Sequence, residues 1–461
     1  MAFQKNQILT LSIESLSNDG SGVAHHDGQA VFVAAAAPGD VAEVRIVKPM
    51  KGYAFGKLEK LLTPGPGRVK QDCPVAGPCG GCGLRHISYA AECAAKTQFV
   101  RDAFERLAKL DVPVHEVLGA PAADRYRNKV QLPVGTDENG HLVTGFFAGR
   151  SHRIVPCADC KLQPDVLNEI GNTLCDFFAA HNIQPYDEQT GKGLVRHVLI
   201  RYGFKTDEIM VCLVINGEKL PHAEKLVDKL CKISGMTSIT ISVNKAKTNV
   251  IMGNEIKLLW GQTYITDYIG NVKYQISPLS FYQVNPVQTE KLYGLALDYA
   301  DLNGNETVWD LYCGIGTISL FLAQNAKQVY GVEIVPQAID DARNNAKIND
   351  ITNAEFYVGK AEEVLPEYYR EYQESHGGET AHADVIVVDP PRKGCEESLL
   401  QTIVDMQPEK VVYVSCDSAT LARDVKFLRE SGYELKKITP VDQFPNTVHV
   451  EVVCCLHRVN S

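Results

Sequence analysis

The sequence predicts an α/β protein of three domains: a small β-barrel, a central α+β domain with a cysteine cluster, and a C-terminal domain with a Rossmann-like parallel sheet. Three observations predict this class. Short bursts of alternating apolar and polar residues fill positions 7–62, which is typical of a small barrel. A glycine-rich loop with three cysteines follows at 73–83. From about residue 270, apolar strands alternate with helical patterns, which indicates a parallel sheet. We place the domains at residues 1–64, 65–269 and 270–461.

Length and composition fit a chain that buries sizeable cores. At 461 residues the chain is long enough for two or three domains. It contains no run of about 18 uncharged apolar residues, so we expect no membrane span. The first residues, MAFQKNQILTLS, lack the apolar core of a signal peptide, so we expect a cytoplasmic protein.

The charge is distributed unevenly along the chain. A net charge of -10 argues by itself against a nucleic-acid-binding protein. However, residues 1–100 contain ten Lys/Arg and eight Asp/Glu, so this part carries a net charge of +2 and the remainder carries -12. A slightly basic N-terminal surface on an acidic protein is still compatible with RNA contact.

The predicted barrel carries a possible surface for single-stranded nucleic acid. Tyr53 and Phe55 lie among basic residues, and aromatic rings beside lysines are typical of such surfaces. The lysines are Lys48, Lys51, Lys57 and Lys60. The alternative is an ordinary barrel with solvated lysines. The segment TPGPGR, residues 63–68, predicts a linker after the barrel because it is rich in proline and glycine.

The cysteine loop predicts a metal centre. Cys73, Cys79 and Cys82 have the spacing C-x5-C-x2-C among glycines and prolines. Disulfides are not expected in the cytoplasm, so ligation is the natural role for these thiols. Cys160 is the best candidate for a fourth ligand, and Cys157 is the second. Four thiolates suit either Zn²⁺ or a [4Fe–4S] cluster.

The middle of the chain predicts an α+β domain. Helical patterns at 89–110, 164–181 and 221–233 alternate with strand-like runs such as HVLIRY and IMVCLVING. Basic side chains on or beside these strands would either meet phosphates or remain solvated charges. They are Arg125, Arg127, Lys129, Arg196 and Arg201.

A nucleoside cofactor is predicted by VWDLYCGIGTISLFLA, which has the pattern of strand, glycine turn and helix. Gly314 and Gly316 allow a sharp turn and close approach of a ligand. The next strand ends at Glu333, about 20 positions later, where an acidic residue can accept hydrogen bonds from a ribose. Ser319 replaces the third glycine of the dinucleotide-binding pattern, which favours S-adenosylmethionine over NAD.

Two further strand ends predict where the chemistry lies. Asp389 follows the apolar run 385–388, and Cys416 closely follows the run 411–414. Parallel strands would bring both to one edge of the sheet, where ligands bind in open α/β sheets. A helical pattern follows Cys416, so the helix dipole is expected to favour its thiolate. The alternative is a buried core cysteine.

The last strand pattern, HVEVVCCL, has alternating faces. His449, Glu451 and Val453 are predicted on one face, and Val450, Val452 and Cys454 on the other. A glutamate near a strand end is most often a solvated carboxylate, so the pattern alone assigns Glu451 no role.

Together these motifs resemble a known family. SFYQVNP, DLYCGIGT, VVDPPRKG, VSCDSATLARD and FPNTVHVEVV occur in this order after the cysteine loop. They resemble the S-adenosylmethionine-dependent RNA uracil-5-methyltransferases over nearly the whole chain, and the first 55 or so residues resemble an RNA-binding TRAM domain. The resemblance is strongest to the iron–sulfur enzymes that act on 23S rRNA.

The resemblance implies roles for individual residues. It implies that Cys416 is the nucleophile and Glu451 the general base. It implies that Gln283, Tyr312, Glu333 and Asp389 bind the cofactor, and that Cys73, Cys79, Cys82 and Cys160 hold a [4Fe–4S] cluster. One departure is SCDS at 415–418, where the family commonly has SCNP.

Three alternative functions remain at this point. The first is the same reaction on tRNA. The second is cytosine-5 methylation, which is disfavoured because such enzymes usually place their cysteine after the strand that here carries DPP. The third is an RNA-binding assembly factor without catalysis. We expect RNA as the partner, no membrane, no obligate protein partner and a monomer.

Overall fold

The computed structural model describes residues 3–149, 151–379 and 381–459. The chain forms one six-stranded sheet, two seven-stranded sheets and a two-stranded hairpin. Within the described residues, no helix is long and apolar enough to cross a membrane.

The N-terminal part forms the predicted small barrel. Its strands occur in the order β1-β5-β6-β4-β3-β2. Their bounds are β1 Ile8–Ser12, β2 Ser15–Leu16, β3 Gly22–His26, β4 Gln29–Ala34, β5 Val41–Pro49 and β6 Tyr53–Thr63. Alternate residues such as Val31, Val33 and Val44 are buried in one apolar core. Buried Asp40 accepts hydrogen bonds from the Gly65 amide and from Arg68, so it ties the barrel to the linker.

The first helix is shorter than predicted. Helix α1 covers Tyr89–Ala103, and a π-helical segment follows at Phe104–Ala108, whereas the sequence predicted one helix to residue 110. Phe104 and Ala108 are both buried in a core of the C-terminal domain. Tertiary packing therefore determines the backbone at the end of this helix, and the local pattern cannot reveal it.

The central part is a seven-stranded sheet with two helices. Its strands occur in the order β13-β12-β11-β10-β7-β8-β9. Their bounds are β7 Lys129–Thr136, β8 Leu142–Phe147, β9 Ile154–Pro156, β10 Val195–Tyr202, β11 Ile209–Ile215, β12 Met236–Val243 and β13 Glu255–Gly261; the helices are α2 Asp165–Ala180 and α3 Ala223–Leu230. One face packs on the helices. Leu199 and Met210 on the other face join a core of the C-terminal domain.

The C-terminal part has the predicted Rossmann-like sheet. Its elements are β14 Ile265–Ile269, β15 Val272–Ile276, α4 Pro286–Ala300, β16 Thr307–Asp310, α5 Thr317–Ala323, β17 Gln328–Glu333, α6 Pro336–Ile348, β18 Ala354–Val358, α7 Ala361–Ser375, β19 Val385–Val388, α8 Glu397–Met406, β20 Lys410–Ser415, α9 Ser418–Glu430, β21 Tyr433–Val441 and β22 Glu451–Arg458. The order is β18-β17-β16-β19-β20-β22-β21. The first five strands are parallel, and β22 is antiparallel to both of its neighbours.

The last strand is inserted into the sheet and is buried on both faces. Val453 and Cys455 belong to one core, and Val452 and Cys454 belong to the other. The predicted alternation is therefore confirmed. The predicted domain boundaries stay predictions, and the β14–β15 hairpin spans the second of them.

Candidate active site

The ends of three parallel strands place the predicted chemical groups at one edge of the sheet. Strand β16 ends at Asp310, which pairs with Val387 of β19. Asp389 follows the end of β19, and Cys416 follows the end of β20. The structure thus brings Asp389 and Cys416 to the same edge, where ligands bind in such sheets.

Glu451 reaches this edge from the inserted strand. In the antiparallel pairing of β20 with β22, Ser415 lies opposite Val452. The next position places Cys416 beside Glu451, at the spacing of adjacent strands, about 5 Å between Cα atoms. The Glu451 side chain is buried, with 3% of its surface exposed. A thiol and a carboxyl group therefore face one small volume.

Three carboxyl groups influence one another at this edge. Burial raises the pKa of Asp310 to about 6, although the Ser319 hydroxyl donates a hydrogen bond of 2.6 Å to it. Burial and the charge of Asp310 raise the pKa of Asp389. Burial and the charge of Asp389 raise the pKa of Glu451. Such a cluster is stabilised either by protonation or by a cation.

The expectation that helix α9 favours a Cys416 thiolate is wrong for the protein without ligands. Burial raises the pKa of the Cys416 thiol to about 11, and the charges of Glu451 and Asp389 add to this effect. The positive charge of Arg392 lowers the pKa of this thiol, but it offsets only part of the increase. Burial, the largest of these effects, and the two nearby carboxylates therefore act against the helix dipole, whose effect is limited to the first turn.

Asp417 explains how the chain accommodates SCDS in place of SCNP. Its carboxylate accepts hydrogen bonds of 3.0 Å from the amides of Ala419 and Thr420, so it caps helix α9. Asparagine and aspartate are about equally good caps. The departure from the family motif therefore preserves the turn that carries Cys416.

The predicted cofactor residues lie on the loops and strands around this edge. Gly316 has a φ of +82° and begins α5, where a side chain would crowd Ala342 and Phe356. Tyr312 lies in the same turn, after Asp310. Glu333 ends β17, and its carboxylate accepts a hydrogen bond of 2.9 Å from the Val335 amide.

The central domain holds the loop that carries Gln283. Asn128 donates a side-chain hydrogen bond of 3.0 Å to the Gln283 carbonyl, and its amide donates one of 2.8 Å to the Val284 carbonyl. Buried Arg201 donates to the Ser280 carbonyl of the same loop. Two domains therefore set the position of Gln283 relative to the strand ends.

Three of the five central basic residues are bound to backbone carbonyls. Besides Arg201, Arg196 donates to the carbonyls of residues 244 and 246, and Arg125 donates to those of residues 160 and 163. Burial and the charges of Arg201 and Arg127 lower the pKa of Lys129 to about 7. Lys129 therefore carries only part of its charge near neutral pH, and Arg127 remains the better candidate for phosphate contact.

A cleft of about 820 Å³ connects the catalytic edge with the barrel. One wall carries Cys416, Arg392 and His449, and the other carries three aromatic residues of the barrel. These are Phe32, Tyr53 and Phe55, whose ring centroids lie 5.6 to 5.9 Å apart. Tyr53 and Phe55 were predicted as stacking rings. Arg392, His449 and Phe32 were missed, because their position is visible only after the domains are assembled.

A buried ion-pair network anchors the loop that precedes Glu451. The Lys96 ammonium lies 2.7 Å from Glu92 and 2.6 Å from Asp442, and it donates to the Phe444 carbonyl. The Glu92 carboxylate also accepts a hydrogen bond of 2.7 Å from the Asn446 amide. Helix α1 therefore helps to set the position of the loop 442–447.

The predicted metal ligands lie around one small cavity. Cys73, Cys79, Cys82, Cys157 and Cys160 all line it. Within the described part of the chain, no three potential ligands are grouped closely enough for a single metal ion. The choice between Zn²⁺ and a [4Fe–4S] cluster therefore stays a prediction.

The two candidates for the fourth ligand differ in protonation. The Cys157 thiol donates a hydrogen bond to Cys160, and this contact together with the amides of Leu162 and Gln163 lowers the pKa of Cys160. The same contact and burial raise the pKa of Cys157. Both thiols therefore stay candidates for the fourth ligand, with Cys160 first and Cys157 second, as predicted.

Comparison with known families agrees with this geometry. The model of the tRNA (uracil-5-)-methyltransferase family matches residues 88–459. The chain belongs to this family. The model of the TRAM domain matches residues 2–58 of the methyltransferase. The predicted family and the N-terminal TRAM domain are thereby confirmed.

Relatives of the methyltransferase cover it almost completely. An uncharacterized RNA methyltransferase of Halalkalibacterium halodurans is 48% identical over 99% of this chain and 98% of its own length. One of Clostridium tetani is 48% identical over 98% of this chain and 96% of its own length. The crystal structure of the tRNA (uracil-54, C5)-methyltransferase of Pyrococcus abyssi, in complex with S-adenosyl-L-homocysteine, is 29% identical and has a TM-score of 0.77. The match covers 97% of this chain and all of that one.

Proposed function

We propose that the methyltransferase transfers a methyl group from S-adenosylmethionine to C5 of a uridine in RNA, with 23S rRNA as the first candidate, through a covalent bond between Cys416 and C6. The observation that carries this proposal is the placement of Cys416 beside Glu451 at the carboxyl edge of the sheet. One thiol and one carboxyl group on neighbouring strands can act on adjacent atoms of one pyrimidine ring.

The first step assigned to the chain is the attack of the Cys416 thiolate on C6. This attack makes C5 nucleophilic, because the negative charge spreads over O4 and C5 of the ring. Arg392 is the cation that favours the thiolate. A cationic cofactor bound beside the thiol would lower its pKa and so favour the thiolate.

The carboxylates at the edge suit a positively charged cofactor. When bound, S-adenosylmethionine supplies a methyl group that its sulfonium activates. Besides burial, the charge of Asp310 raises the pKa of Asp389, and the charge of Asp389 raises that of Glu451 in the protein without ligands. A cation beside these groups would relieve this repulsion. Glu333 would bind the ribose, while Gln283 and Tyr312 would contact the rest of the cofactor.

The last step assigned to the chain is removal of the C5 proton by Glu451. Loss of this proton allows Cys416 to leave by elimination and restores the pyrimidine ring. Burial raises the pKa of Glu451, so its carboxylate is a stronger base than an exposed glutamate. Glu451 would thus be matched to a proton transfer near neutral pH.

The cleft supports a base that is extruded from its stack. Cys416, on the wall of the cleft, cannot reach C6 of a uracil that is stacked within an RNA helix. The target uridine would therefore be flipped out or already unpaired. The aromatic residues on the opposite wall, Phe32, Tyr53 and Phe55, offer surfaces on which neighbouring bases would stack.

Two RNA classes are candidates for the substrate. The cysteine loop with the TRAM domain favours 23S rRNA by its resemblance to the iron–sulfur enzymes. The second candidate is tRNA, which is favoured by the Pyrococcus abyssi enzyme, a tRNA (uracil-54, C5)-methyltransferase that aligns with 97% of this chain.

We also propose that Cys73, Cys79, Cys82 and Cys160 hold a [4Fe–4S] cluster that braces the loop and takes no part in methyl transfer. Arg125 connects this region to the central domain, because it donates to the carbonyls of residues 160 and 163. A cytoplasmic location stays a prediction.

The experiment is to incubate the purified protein with labelled S-adenosylmethionine and either unmodified 23S rRNA or unmodified tRNA. Nuclease digestion and mass spectrometry then locate the label. Label at C5 of an rRNA uridine, absent with Cys416→Ala, is the expected result. Label in tRNA alone would contradict 23S rRNA as the substrate and would leave the proposed chemistry intact. Absence of label in both RNAs, with intact protein and cluster, would contradict the proposed reaction.

A further inference from the structure

A small apolar core lies beside the catalytic cleft and joins three parts of the chain. Its members come from the barrel, from the segment 84–91 that follows the cysteine loop, and from the loop before β22. The buried members are Ala37, Leu84 and Ile87, and the half-buried residues packed against them are Leu16, Ala91 and Val448. We call this core the Val448 joint. Val448 is its member from the C-terminal domain, and it also lines the cleft that contains Cys416.

Two glycines bring backbone directly against the Val448 side chain. A Cβ atom added to Gly20, in a turn of the barrel, would lie 2.8 Å from Cγ1 of Val448. A Cβ atom added to Gly83, in the cysteine loop, would lie 3.1 Å from the same atom. Both distances are shorter than the separation of about 3.5–4.0 Å at which carbon atoms pack best. The barrel and the cysteine loop therefore enclose Val448 from two sides.

Hydrogen bonds hold the backbone on both sides of this contact. In the barrel turn, the Gly20 amide donates a hydrogen bond of 2.8 Å to the Ser17 carbonyl. After the cysteine loop, the Leu84 amide donates a hydrogen bond of 3.0 Å to the Asn446 carbonyl, two residues before Val448. The N-terminal part of the chain thus holds this loop both by packing and by a hydrogen bond.

The Val448 joint lies three residues before the proposed base. The pairing of β22 with β20 stops at Val452, one residue after Glu451. On its other side Glu451 pairs with Val441 of β21. The start of β22 is therefore held by the sheet on one edge only, and the segment before it must supply the remaining support.

The side chain of Glu451 does not fix its own position. Among the described residues, its carboxyl group has no hydrogen bond or ion pair. The distance between this carboxyl group and the Cys416 thiol therefore depends on where the backbone places Glu451. Because Val448 belongs to the same short segment, a shift of its side chain in the joint would be passed on to the proposed base.

We propose that the N-terminal barrel, through the Val448 joint, positions Glu451 for the proton transfer assigned to it. The barrel would then be part of the architecture of the active site in addition to its role in RNA binding. Leu16 and Val448 are positioning residues, because neither carries a group that takes part in the reaction. The proposal rests on the proposed function, but the position of Glu451 can be tested without RNA or cofactor.

The first measurement is the pH dependence of Cys416 alkylation by iodoacetamide in the whole protein without ligands. Val448→Ala and Leu16→Ala each loosen the joint, so we expect Glu451 to move and its charge to act less on the thiol. The inflection should fall by roughly half a pH unit or more, toward that of Glu451→Gln. Peptide mass spectrometry follows the reaction, and Tm shows that each variant is folded.

Three control variants isolate the effect of the joint. Leu9→Ala truncates an equally half-buried leucine that packs on the main core of the barrel, and it should leave the inflection unchanged. Val448→Thr keeps the branched shape and should stay close to wild type. The double variant of Val448→Ala with Glu451→Gln should have the inflection of Glu451→Gln alone, because the effect acts through Glu451. Asp389 and Arg392, which also act on this thiol, lie outside the joint and are unchanged in all variants.

The second measurement is turnover on the RNA that the wild-type protein methylates. Val448→Ala and Leu16→Ala should lower turnover about tenfold, since a misplaced base removes the C5 proton slowly. A heat-stable complex of protein and RNA should accumulate for the same reason. The Kd for this RNA, measured by filter binding, should stay within about twofold of wild type. Leu9→Ala should retain its turnover.

Several results would overturn the proposal. An unchanged inflection in both Val448→Ala and Leu16→Ala would show that the joint does not position Glu451, and Leu16→Ala decides if Val448→Ala does not fold. A further fall in the double variant would assign the effect to solvent access of the thiol. An equal fall in Leu9→Ala would assign it to general loosening of the barrel. If the wild-type protein methylates no RNA, the proposed function fails, while the alkylation profiles still decide about the joint.

Discussion

The Glu451 carboxylate raises the pKa of the Cys416 thiol beside it. Burial and this charge together hold the proposed nucleophile in its protonated, unreactive form as long as no ligand is bound. Free thiolates are easily alkylated and oxidised, so this pairing protects the nucleophile between turnovers. It also makes the thiol sensitive to every charge that enters the site.

The first prediction concerns the reactivity of this thiol. Alkylation of Cys416 by iodoacetamide should have its inflection near pH 11, since only the thiolate reacts. Glu451→Gln removes a negative neighbour and should move the inflection toward 9, the ordinary value. Arg392→Gln removes the positive neighbour and should move the inflection to higher pH. Peptide mass spectrometry follows the reaction, with exposed Cys231 as the reference in the same sample. Identical profiles in all three proteins would contradict the assigned electrostatics.

The second prediction separates the proposed base from the nucleophile. Glu451→Gln should still form the bond from Cys416 to C6 and accept the methyl group, but the C5 proton would remain. A covalent protein–RNA complex should therefore accumulate and should migrate as a heat-stable band on a denaturing gel, while turnover falls about a hundredfold or more. The double variant with Cys416→Ala should give no band. Normal turnover in Glu451→Gln would exclude its role as the base.

The third prediction concerns stability and pH. The folded-state pKa of Asp310 is raised to about 6 from 3.8, so folding favours its protonated form. The protonated Asp310 therefore contributes to the free energy of unfolding in full below the pKa of the unfolded state. This contribution is lost as the pH rises through the pKa of the folded state. Asp310→Asn cannot ionise and keeps an acceptor for Ser319. Between pH 5 and pH 8 its free energy of unfolding should gain about 1.5 kcal/mol relative to wild type.

Urea unfolding at both pH values measures this effect in the protein without ligands. Each protein serves as its own reference, because only the change between the two pH values matters. A parallel pH dependence of the two proteins would show that Asp310 has an ordinary pKa.

The fourth prediction concerns the buried network of helix α1. Lys96→Met leaves Glu92 and Asp442 buried without their cation, and breaking such a pair costs about 3–5 kcal/mol. Unfolding in urea should show this loss. Lys426→Met on exposed α9 is the control and should change stability by about 0.5 kcal/mol or less. A Lys96→Met protein as stable as this control would show that the network does not hold the loop before Glu451.

The fifth prediction distinguishes the cysteines of the loop. Protein purified without oxygen should contain about four iron atoms and four sulfides if the proposed cluster is present. Cys160→Ala should lose the visible absorption of the cluster, whereas Cys157→Ala should keep it, since the resemblance to the iron–sulfur enzymes assigns Cys160 as the fourth ligand. Loss of the cluster in Cys157→Ala, with retention in Cys160→Ala, would reverse the assignment.

Much of the fold could be predicted because its signals are local. The glycine turn at Gly316, the strand end before Asp389 and the cap at Asp417 each depend on a few neighbouring residues. The insertion of β22 between β20 and β21 could not be predicted from local patterns, and it is this insertion that brings Glu451 to Cys416. The raised pKa of the thiol was missed for the same reason, because its causes lie on three separate segments.

The basic residues of the central domain show a second limit to what the sequence can predict. Arg196 and Arg201 look like surface charges in sequence, since nothing local reveals a carbonyl from a distant loop. The hydrogen-bond acceptors of these strand side chains belong to distant loops, so they can be identified only once the sheets are assembled.

The position of the inserted strand has a consequence for biosynthesis. Strand β22 follows every other described element in the chain, yet it lies between two strands made earlier. Domains generally fold as they emerge from the ribosome, so the barrel and the central sheet can form while β22 is still being translated. A nascent chain would then carry Cys416 without Glu451. On the proposed mechanism, the active site is therefore complete only after β22 has left the ribosome and paired with β20 and β21.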